Sequence, residues 1–418
     1  MKPKIFLPSV ALAFAFTASA LAQTPVLPDI PTNMYSVVQF GVVGDGHTLN
    51  TVAIQKAIAT VGATGGTLVF PDGKYVTGPI TLTNRLNLHL TRDAFLLISD
   101  DMANHPVVNN HYVDCIHAID GHDIAITGDG TIDGQGSAWW KAFDANHAMT
   151  HRPFLIKIDN CSRVLISGVR LRNSPMFHLV PQHCTDVTIR GISIKSPANT
   201  HNTDGIDPSG WNYLITGCTI DGGDDNIAIK PADDRKPGDK NFLITDCTFL
   251  HGHGMSIGSG SHGGLEGLIV SNCTFRDTSA GIRIKTTRST GGHLHNLVYE
   301  DLTMDGVKSA IDIVDYYPER DAPADPSTEK AHAVTDRTPF LDNFIIRNVT
   351  AKNCASLGTM RGLPEAPVTD ATFSNVRISG GTGLKIYHAQ NIRFSGSSLK
   401  SKTGPAIMVY DADVSGLK

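Results

Sequence analysis

The strongest constraint on the fold of this chain is an internal repeat of short apolar segments. Each segment is rich in β-branched residues, and residues 164–169, 187–192 and 214–218 are examples. The last residues of six consecutive segments are separated by 23, 26, 29, 26 and 29 residues; they are Val169, Ile192, Cys218, Cys247, Cys273 and Leu302. The pattern resumes at 344–349 and 372–376. A period of about 20–50 residues is typical of a solenoid.

The composition of the repeat favours strands over helices. Its units are punctuated by glycine and poor in runs of Ala, Leu and Glu, which excludes helical solenoids. Several short strands in about 25 residues fit one turn of a parallel β-helix, so we predict an all-β fold of this type. The unequal spacing is typical of insertions in loops on one face, where binding usually takes place.

The repeat runs to the C-terminal residues without a linker rich in Ser, Gly or Pro. We therefore expect residues 23–418 to form a single parallel β-helix domain. Residues 51–59 are the best candidate for a helix, because Ile54 and Ile58 share one face and Thr51 could cap its start. This helix would cover the N-terminal end of the solenoid. The polar stretch from Glu319 to Asp336 predicts a long surface loop.

The first residues have the pattern of a cleavable signal peptide. Lys2 and Lys4 precede an apolar run over 10–18, and the small-x-small sequence at 20–22 resembles a cleavage site. The apolar run is too short for a transmembrane anchor. We therefore predict that residues 1–22 are a signal peptide and that the protein is secreted or periplasmic.

The charge of the chain argues against nucleic acid as a partner. The sequence has 35 basic and 40 acidic residues, and removal of the two leader lysines leaves 33 against 40, a net charge of −7. A negatively charged protein binds nucleic acid poorly. We also expect no membrane association after removal of the leader, and a monomeric protein.

The seven cysteines are an odd number, so at least one is unpaired within the chain. Cys218, Cys247 and Cys273 occupy equivalent repeat positions and would stack inside a β-helix about 4.8 Å apart, as buried thiols. A disulfide between Cys161 and Cys184 remains an alternative. The sequence contains no CxxC pair, so we expect neither a zinc site nor another metal or cofactor.

Four short polar motifs recur at nearly the period of the repeat. From Asp204 to Asp225 is 21 residues, from Asp225 to His253 is 28, and from His253 to Arg283 is 30. Motifs that are one repeat apart stack in space, so carboxylates, an imidazole and two cations should converge on one surface. The motifs are Asn202-Thr203-Asp204-Gly205, Gly223-Asp224-Asp225, Gly252-His253-Gly254 and Arg283-Ile284-Lys285.

These residue types suit acid–base chemistry on an anionic substrate. Asn202 and Asp204 would share one strand face, whereas Asp224 and Asp225 can serve one site only if the glycines before them bend the backbone. Crowded carboxylates shift one another's pKa values and can give a protonated acid beside an ionised base, which glycoside hydrolysis needs. Neighbouring cations would stabilise the ionised carboxylates and bind an anionic substrate.

Each motif alone has a simpler interpretation. An Asp-Asp pair in a glycine-rich segment is usually a solvated turn, Gly-His-Gly is usually a loop, and Arg-x-Lys is usually a solvated strand face. The coincidence of all four in one register is what favours a functional site.

The four motifs together resemble the signatures of the polygalacturonases, family 28 of the glycoside hydrolases. Further matches are Phe40-Gly41, Gly44-Asp45-Gly46, Gly78-Pro79-Ile80, Ile132-Asp133-Gly134-Gln135-Gly136, Asn173-Ser174-Pro175 and Asp315-Tyr316. The resemblance covers nearly all of the chain after the leader. It implies a right-handed parallel β-helix that hydrolyses pectin with inversion and without a cofactor.

The resemblance also implies roles for the catalytic residues. Asp224 would be the general acid that protonates the glycosidic oxygen. Asp204 and Asp225 would hold and deprotonate the attacking water. His253 would hydrogen-bond within the carboxylate cluster and tune its protonation.

The substrate-binding residues implied by the resemblance are Asn202, Arg283, Lys285 and Tyr316. The two cations would bind the galacturonate carboxylate next to the scissile bond, which favours homogalacturonan over rhamnogalacturonan. Tyr316 would contact substrate, although Tyr317 is adjacent. The β-helix begins soon after the leader, without an extra N-terminal domain, and this favours endo over exo action.

Two other functions compete with this prediction. A pectate lyase of the same fold would use the carboxylates to bind Ca²⁺, but it would leave Gly252-His253-Gly254 without a role. A non-catalytic carbohydrate-binding β-helix would not need an acid pair beside two cations.

Overall fold

The structure is a computed structural model that describes residues 24–147, 151–231, 238–318, 322–325 and 328–417. The strands are β1 (Met34–Ser36), β2 (Asp45–Leu49), β3 (Gly66–Phe70), β4 (Gly73–Thr77), β5 (Ile80–Thr81), β6 (Leu86–Leu90), β7 (Ala94–Ile98), β8 (Val107–Val108), β9 (His111–Tyr112), β10 (Ile116–Ile119), β11 (His122–Gly128), β12 (Thr131–Asp133), β13 (Ile156–Asp159), β14 (Ser162–Ser167), β15 (Arg170–Arg172), β16 (Leu179–Gln182), β17 (Cys184–Arg190), β18 (Ser193–Lys195), β19 (Gly210–Thr216), β20 (Thr219–Gly222), β21 (Ile227–Ile229), β22 (Asp239–Thr245), β23 (Thr248–His251), β24 (Met255–Gly258), β25 (Leu265–Ser271), β26 (Thr274–Arg276), β27 (Ala280–Lys285), β28 (His293–Asp305), β29 (Ser309–Val314), β30 (Phe340–Arg361), β31 (Val368–Ser395) and β32 (Ser398–Ser415). The helices are α1 (Thr51–Gly62) and α2 (Ser137–Ala145), with short 3-10 turns at Val37–Phe40 and Met102–Asn104.

The strands form three parallel ladders that run along the molecule, and the chain visits the ladders in turn as it coils. Ladder A joins β1, β3, β6, β11, β14, β17, β19, β22 and β25 to the first part of β28. Ladder B joins β2, β4, β7, β12, β15, β18, β20, β23 and β26 to the second part of β28. Ladder C joins β5, β10, β13 and β16 through Ile206 to β21, β24, β27 and β29. The long strands β30, β31 and β32 continue the ladders. This arrangement confirms the predicted parallel β-helix.

The alternation of apolar and polar residues in each repeat fixes which side chains point inward. In ladder A, one buried row consists of residues in direct register on successive coils. The rings of Tyr213 and Phe242 in this row stack with centroids 4.6 Å apart. The row is Val164, Val187, Tyr213, Phe242, Leu268 and Leu297.

The last residue of each apolar segment, which we call the repeat anchor, is preceded by a glycine, aspartate or asparagine. The turns from ladder A to ladder B explain why these residue types occur there. These residues all have positive φ, a conformation that glycine, asparagine and aspartate adopt most readily. Asn348 bonds Asp301 and is in turn bonded by Asn375, so neighbouring turns also hydrogen-bond to each other. The row is Gly168, Gly191, Gly217, Asp246, Asn272, Asp301, Asn348 and Asn375.

All seven cysteines are buried free thiols. Cys218, Cys247 and Cys273 stack inside the coil at the predicted anchor positions, with 1% of each residue exposed. The alternative pairing of Cys161 with Cys184 is absent, since both are free.

Helix α1 covers the first coils, as predicted, and extends to Gly62. Its buried face consists of Ile54, Ala57, Ile58 and Val61. The capping role expected for Thr51 is wrong, because Asn50 is the N-cap residue and the Thr51 hydroxyl accepts a hydrogen bond from Gly78 N (2.7 Å) instead.

Helix α2 was not predicted. It lies in the insertion between β12 and β13 and buries Trp139, whose ring packs edge-on against Tyr112. None of the helices in the described residues is long and apolar enough to span a membrane. The predicted leader, residues 1–22, lies outside the described residues, so the division into leader and domain stays a prediction.

Candidate active site

The four polar motifs meet on the outer side of ladder C. Ile206 pairs with Ile227, which pairs with Met255, so the residues two positions before them lie on three neighbouring coils. Those residues are Asp204, Asp225 and His253. Arg283 and Lys285 follow on β27, in register with Ser256 and Gly258 of β24, and Ile284 between them is buried as expected. The common period of the motifs therefore places them together.

Asp224 and Asp225 do not lie in a strand. Strand β20 ends at Gly222, and the two aspartates occupy the turn that leads from ladder B to β21. The turn brings both side chains to one site, with Asp225 N bonded to Asp224 Oδ1 (2.9 Å). The backbone bends at these glycines, as the sequence predicted.

Gly223 has a steric reason for being glycine. A Cβ atom there would lie 2.4 Å from Thr200 O and 2.8 Å from Pro197 O, so the loop before Asn202 would have to move. A Cβ atom on Gly222 would have only an ordinary 3.4 Å contact with Thr203 O.

We expect Gly223→Ala to destabilise the fold by about 1–3 kcal/mol and to lower activity, because overpacking displaces the backbone next to the site. Gly222→Ala is the matched control and should have little effect. Thermal unfolding and turnover of both variants test this expectation, and equal behaviour of the two would contradict it.

Asp225 is the most heavily hydrogen-bonded carboxylate of the site. Its Oδ1 accepts from Arg283 Nη1 and Ser256 Oγ, both at 2.9 Å, and its Oδ2 accepts from Lys285 Nζ at 2.6 Å. Burial alone would raise the pKa of Asp225, but the His253 hydrogen bond and the charges of Lys285 and Arg283 lower it far below its usual value. These neighbours therefore favour the ionised form of Asp225.

Asp224 and His253 form a hydrogen-bonded pair beside it. His253 Nδ1 lies 3.0 Å from Asp224 Oδ1, and Asn202 N donates to Asp224 Oδ2 (3.1 Å). Burial raises the pKa of Asp224, but the hydrogen bond from His253 and the charge of the imidazolium produce a net lowering. The same hydrogen bond to Asp224, followed by that to Asp225, raises the pKa of His253 to about 9. At neutral pH the proton of this pair resides on His253.

The raised pKa of His253 predicts a pH-dependent stability. A group whose pKa is higher in the folded state stabilises the fold fully below its unfolded pKa of about 6.5 and loses that effect as pH rises through about 9. We expect the parent protein to lose stability relative to His253→Gln between pH 6.5 and 9. Denaturation midpoints of both proteins at these pH values measure it, and parallel curves would contradict it.

Asp204 has a different environment from Asp225. Both Asp204 and Asp207 bind Lys230, with Oδ2–Nζ distances of 2.9 Å and 2.5 Å. Burial and the neighbouring Asp207 raise the pKa of Asp204 well above its usual value, and burial raises that of Asp207 to about 6, with Lys230 opposing both shifts. The sequence predicted that the carboxylates of the four motifs shift one another's pKa values. Among those carboxylates, Asp204 is the one whose pKa is raised.

Asn202 takes a place other than the expected one. It lies in a turn with φ of 56°, so it does not share a strand face with Asp204. Its Oδ1 accepts a hydrogen bond from Arg152 Nη2 (3.0 Å), and its backbone N binds Asp224. In this structure Asn202 supports the turn that carries Asp224 and Asp225.

Tyr316 is not brought to the site. Its ring is buried between the guanidinium groups of Arg288 and Arg361, and Arg288 Nη2 donates to its hydroxyl (3.1 Å). Both arginines also bind the buried Glu329 carboxylate of the following loop. Tyr316 therefore anchors this loop.

The ring that faces the cations is that of Tyr317. Lys285 Nζ lies 5.1 Å from its centroid and Arg283 Cζ lies 5.6 Å from it, and the ring is half-buried. Strand β29 ends at Val314, and in the turn that follows it the two adjacent tyrosine rings point to different surroundings.

Among the residues that the structure describes, two clusters have ligand atoms close enough to hold a metal ion. Asp224, Asp225 and His253 form the first, but Arg283 and Lys285 already neutralise Asp225, and a divalent cation there would meet strong repulsion. The second cluster lies on the outer surface of ladder A and consists of His293, His295 and Asp342.

Asp207, Lys230 and Ser256 were not predicted from the sequence, and Tyr317 was named only as the neighbour of Tyr316. Asp207, Lys230 and Ser256 follow a motif by two to five residues and alternate with buried isoleucine or methionine. Ser256 lies in β24, Lys230 directly after β21, and Asp207 directly after the ladder C residue Ile206. That alternation was the available signal, because it places them on the same outer face as the motifs.

Comparison with known proteins gives a consistent result. A family described as "Glycosyl hydrolases family 28" matches residues 64–399. A probable polygalacturonase from Vitis vinifera is 33% identical over 369 residues, which cover 82% of this chain and 74% of that protein. An exopolygalacturonase from Zea mays is 28% identical and covers 85% of this chain and 86% of that protein. The crystal structure of a hyperthermoactive exopolygalacturonase from Thermotoga maritima superposes with a TM-score of 0.75 and 26% identity, covering 88% of this chain and 94% of that one.

Proposed function

The chain belongs to family 28 of the glycosyl hydrolases, and on that basis we propose that it hydrolyses the α-1,4-galacturonosyl linkages of homogalacturonan. The observation that carries this proposal is the row of three carboxylates on neighbouring coils beside two cations. An acid–base pair and a binding site for an anionic sugar are what hydrolysis of a polyuronide requires.

Asp224 is the general acid in this proposal. Its side chain is 21% exposed, against 4% for Asp204 and 1% for Asp225, so it is the carboxylate that a glycosidic oxygen can approach. Because its pKa is lowered in the free protein, the proton it delivers must be held by the pair with His253. A proton that moves from His253 Nδ1 to Asp224 leaves a neutral imidazole and an acid ready to protonate the leaving oxygen.

The base in this proposal is supplied by Asp204 and Asp225. Either carboxylate would orient a water molecule and take its proton as the water oxygen bonds to the anomeric carbon. A single displacement of this kind inverts the anomeric configuration.

Arg283 and Lys285 would bind the galacturonate carboxylate next to the scissile bond. The guanidinium has five N–H groups and the ammonium three, and each uses one for Asp225. Their remaining donors, together with the ring of Tyr317, form the recognition surface. Asn202 would act through the turn that it supports.

A calcium-dependent pectate lyase is the principal alternative. It would need Ca²⁺ on the carboxylates and would give unsaturated products. The two cations on Asp225 oppose that arrangement.

Exo action is a second candidate for the mode of cleavage, and helix α2 favours it. The helix packs against the loop before Asn202, with Phe143 beside His201 and over the Arg152 guanidinium, and a cavity of about 210 Å³ lies between them. At this position helix α2 would limit the number of sugar units that can bind along the coils that precede the site. Endo action, which the sequence favoured, requires that a polysaccharide can extend along the outer side of ladder C past this helix.

The test is a product time course on de-esterified polygalacturonic acid with EDTA present. Reducing ends without absorbance near 235 nm would support hydrolysis, and absorbance that appears only with added Ca²⁺ would support the lyase. Mixed oligomers at early times indicate endo action, and monomer or dimer alone indicates exo action.

The signal-like residues at 1–22 support export, so we propose a secreted or periplasmic monomer that acts on pectin. Activity in the culture medium or periplasmic fraction, with none in the cytoplasmic fraction, is the expected distribution.

A further inference from the structure

Lys230 connects two buried carboxylates next to the site. It lies at the end of β21, with its ammonium bonded to Asp204 Oδ2 and Asp207 Oδ2. The side chains of Asp204 and Asp207 are almost completely buried, and the ammonium also lies 4.0 Å from the ring centroid of Phe177. One ammonium group therefore pairs with two almost completely buried carboxylates.

The two candidate bases differ in their ability to take a proton. Asp225 has Arg283, Lys285 and Ser256 on its two oxygens, and these contacts make it a very weak base. Asp204 has a single charged contact, Lys230, on Oδ2. Its Oδ1 accepts no hydrogen bond from the described residues. Asp204 is therefore the stronger proton acceptor, provided that it is ionised.

We propose that Lys230 is a positioning residue that orients Asp204 and keeps it ionised, so that Asp204 rather than Asp225 deprotonates the attacking water. This inference rests on the proposed function. The water gives its proton to Asp204 while its oxygen bonds to the anomeric carbon. The bond from that carbon to the leaving oxygen breaks, and the leaving oxygen takes the proton of Asp224.

The charge balance around Asp204 makes the proposal specific. Asp207 opposes ionisation of Asp204, and Lys230 favours it. His178, whose Nδ1 lies 3.0 Å from the Asp204 carbonyl, is neutral because burial lowers its pKa to about 4. The other ionisable groups that act on Asp204 or Asp207 are Asp224, Asp225 and Lys285.

The experiment compares pH profiles of kcat/KM for Lys230→Met, Lys230→Arg and Asp207→Asn on polygalacturonic acid. Loss of the cation raises the pKa of Asp204, so the acidic limb of the Lys230→Met profile should move to higher pH. Loss of the neighbouring anion should move the acidic limb of Asp207→Asn to lower pH. We expect kcat of Lys230→Met to fall about 10-fold or more, with a smaller change in KM, and Lys230→Arg to recover part of it. The control is Lys240→Met, which removes an exposed lysine paired with Glu266.

A merely structural role of Lys230 would lower activity without shifting the two profiles in opposite directions. Shifts in the same direction, or unchanged profiles, would overturn the proposal. If Lys230→Met does not fold, Asp207→Asn decides, because only a shift to lower pH agrees with the proposal. Failure of the parent protein to hydrolyse polygalacturonic acid would instead defeat the proposed function, so the two failures are distinguishable.

Discussion

Asp224→Asn should reduce kcat by about 10²- to 10⁴-fold while substrate is still bound, because an amide cannot donate the proton that the leaving oxygen needs. The amide can still accept hydrogen bonds from His253 Nδ1 and Asp225 N through one oxygen, and it loses the bond from Asn202 N. That loss is worth about 1 kcal/mol, too little to unfold the protein. Turnover of polygalacturonic acid and calorimetric binding of its oligomers measure the two effects.

The matched control is Asp221→Asn, which makes the same replacement on the preceding strand. Asp221 pairs with His251 and Lys195 away from the catalytic turn. It should retain activity near that of the parent protein. Full activity of Asp224→Asn, or equal losses in both variants, would remove Asp224 from its role as the acid.

Asp225→Asn should destabilise the protein by about 3–5 kcal/mol in addition to lowering activity. The replacement leaves the buried Lys285 and the largely buried Arg283 without their shared anion, and its amide group points N–H donors at a cation. The midpoint of urea denaturation at neutral pH measures the change.

The control for this variant is Asp312→Asn. Asp312 is the other carboxylate near Arg283, 3.5 Å from Nε and more exposed than Asp225. Its loss should cost less than about 1 kcal/mol, as for a partly solvated ion pair. Similar denaturation midpoints for the two variants would show that the ion pairs of Asp225 contribute no more stability than the partly solvated pair of Asp312.

The fold and the convergence of the site were predictable from the repeat. In a solenoid, residues separated by whole periods must stack, so the spacing of Asp204, Asp225, His253 and Arg283 contained the geometry of the site. The inward anchors were predictable for the same reason, since apolar residues at one register position have only the interior to occupy.

The features that were missed depend on contacts that no period encodes. Helix α2 is an insertion that occurs once, so the period of the repeat contains no information about it. The exchange of Tyr316 for Tyr317 depends on the path of the chain after β29 ends at Val314, where the two residues no longer follow strand alternation. The contact of the Lys230 ammonium with both Asp204 and Asp207 depends on side-chain packing between neighbouring coils.

Chemical labelling of the seven buried thiols can also report local opening of the fold. Because all seven are shielded in the folded state, an alkylating reagent can reach one only when the coil around it opens. The cysteines lie on different coils, from Cys115 near the first turns to Cys354 near the last, so labelling rates resolved by mass spectrometry would map stability along the axis. The coils of Cys218, Cys247 and Cys273 carry Asp224, His253 and Arg283, and the labelling rates of these three thiols relative to the others would report whether the proposed active site lies on the most rigid part of the stack.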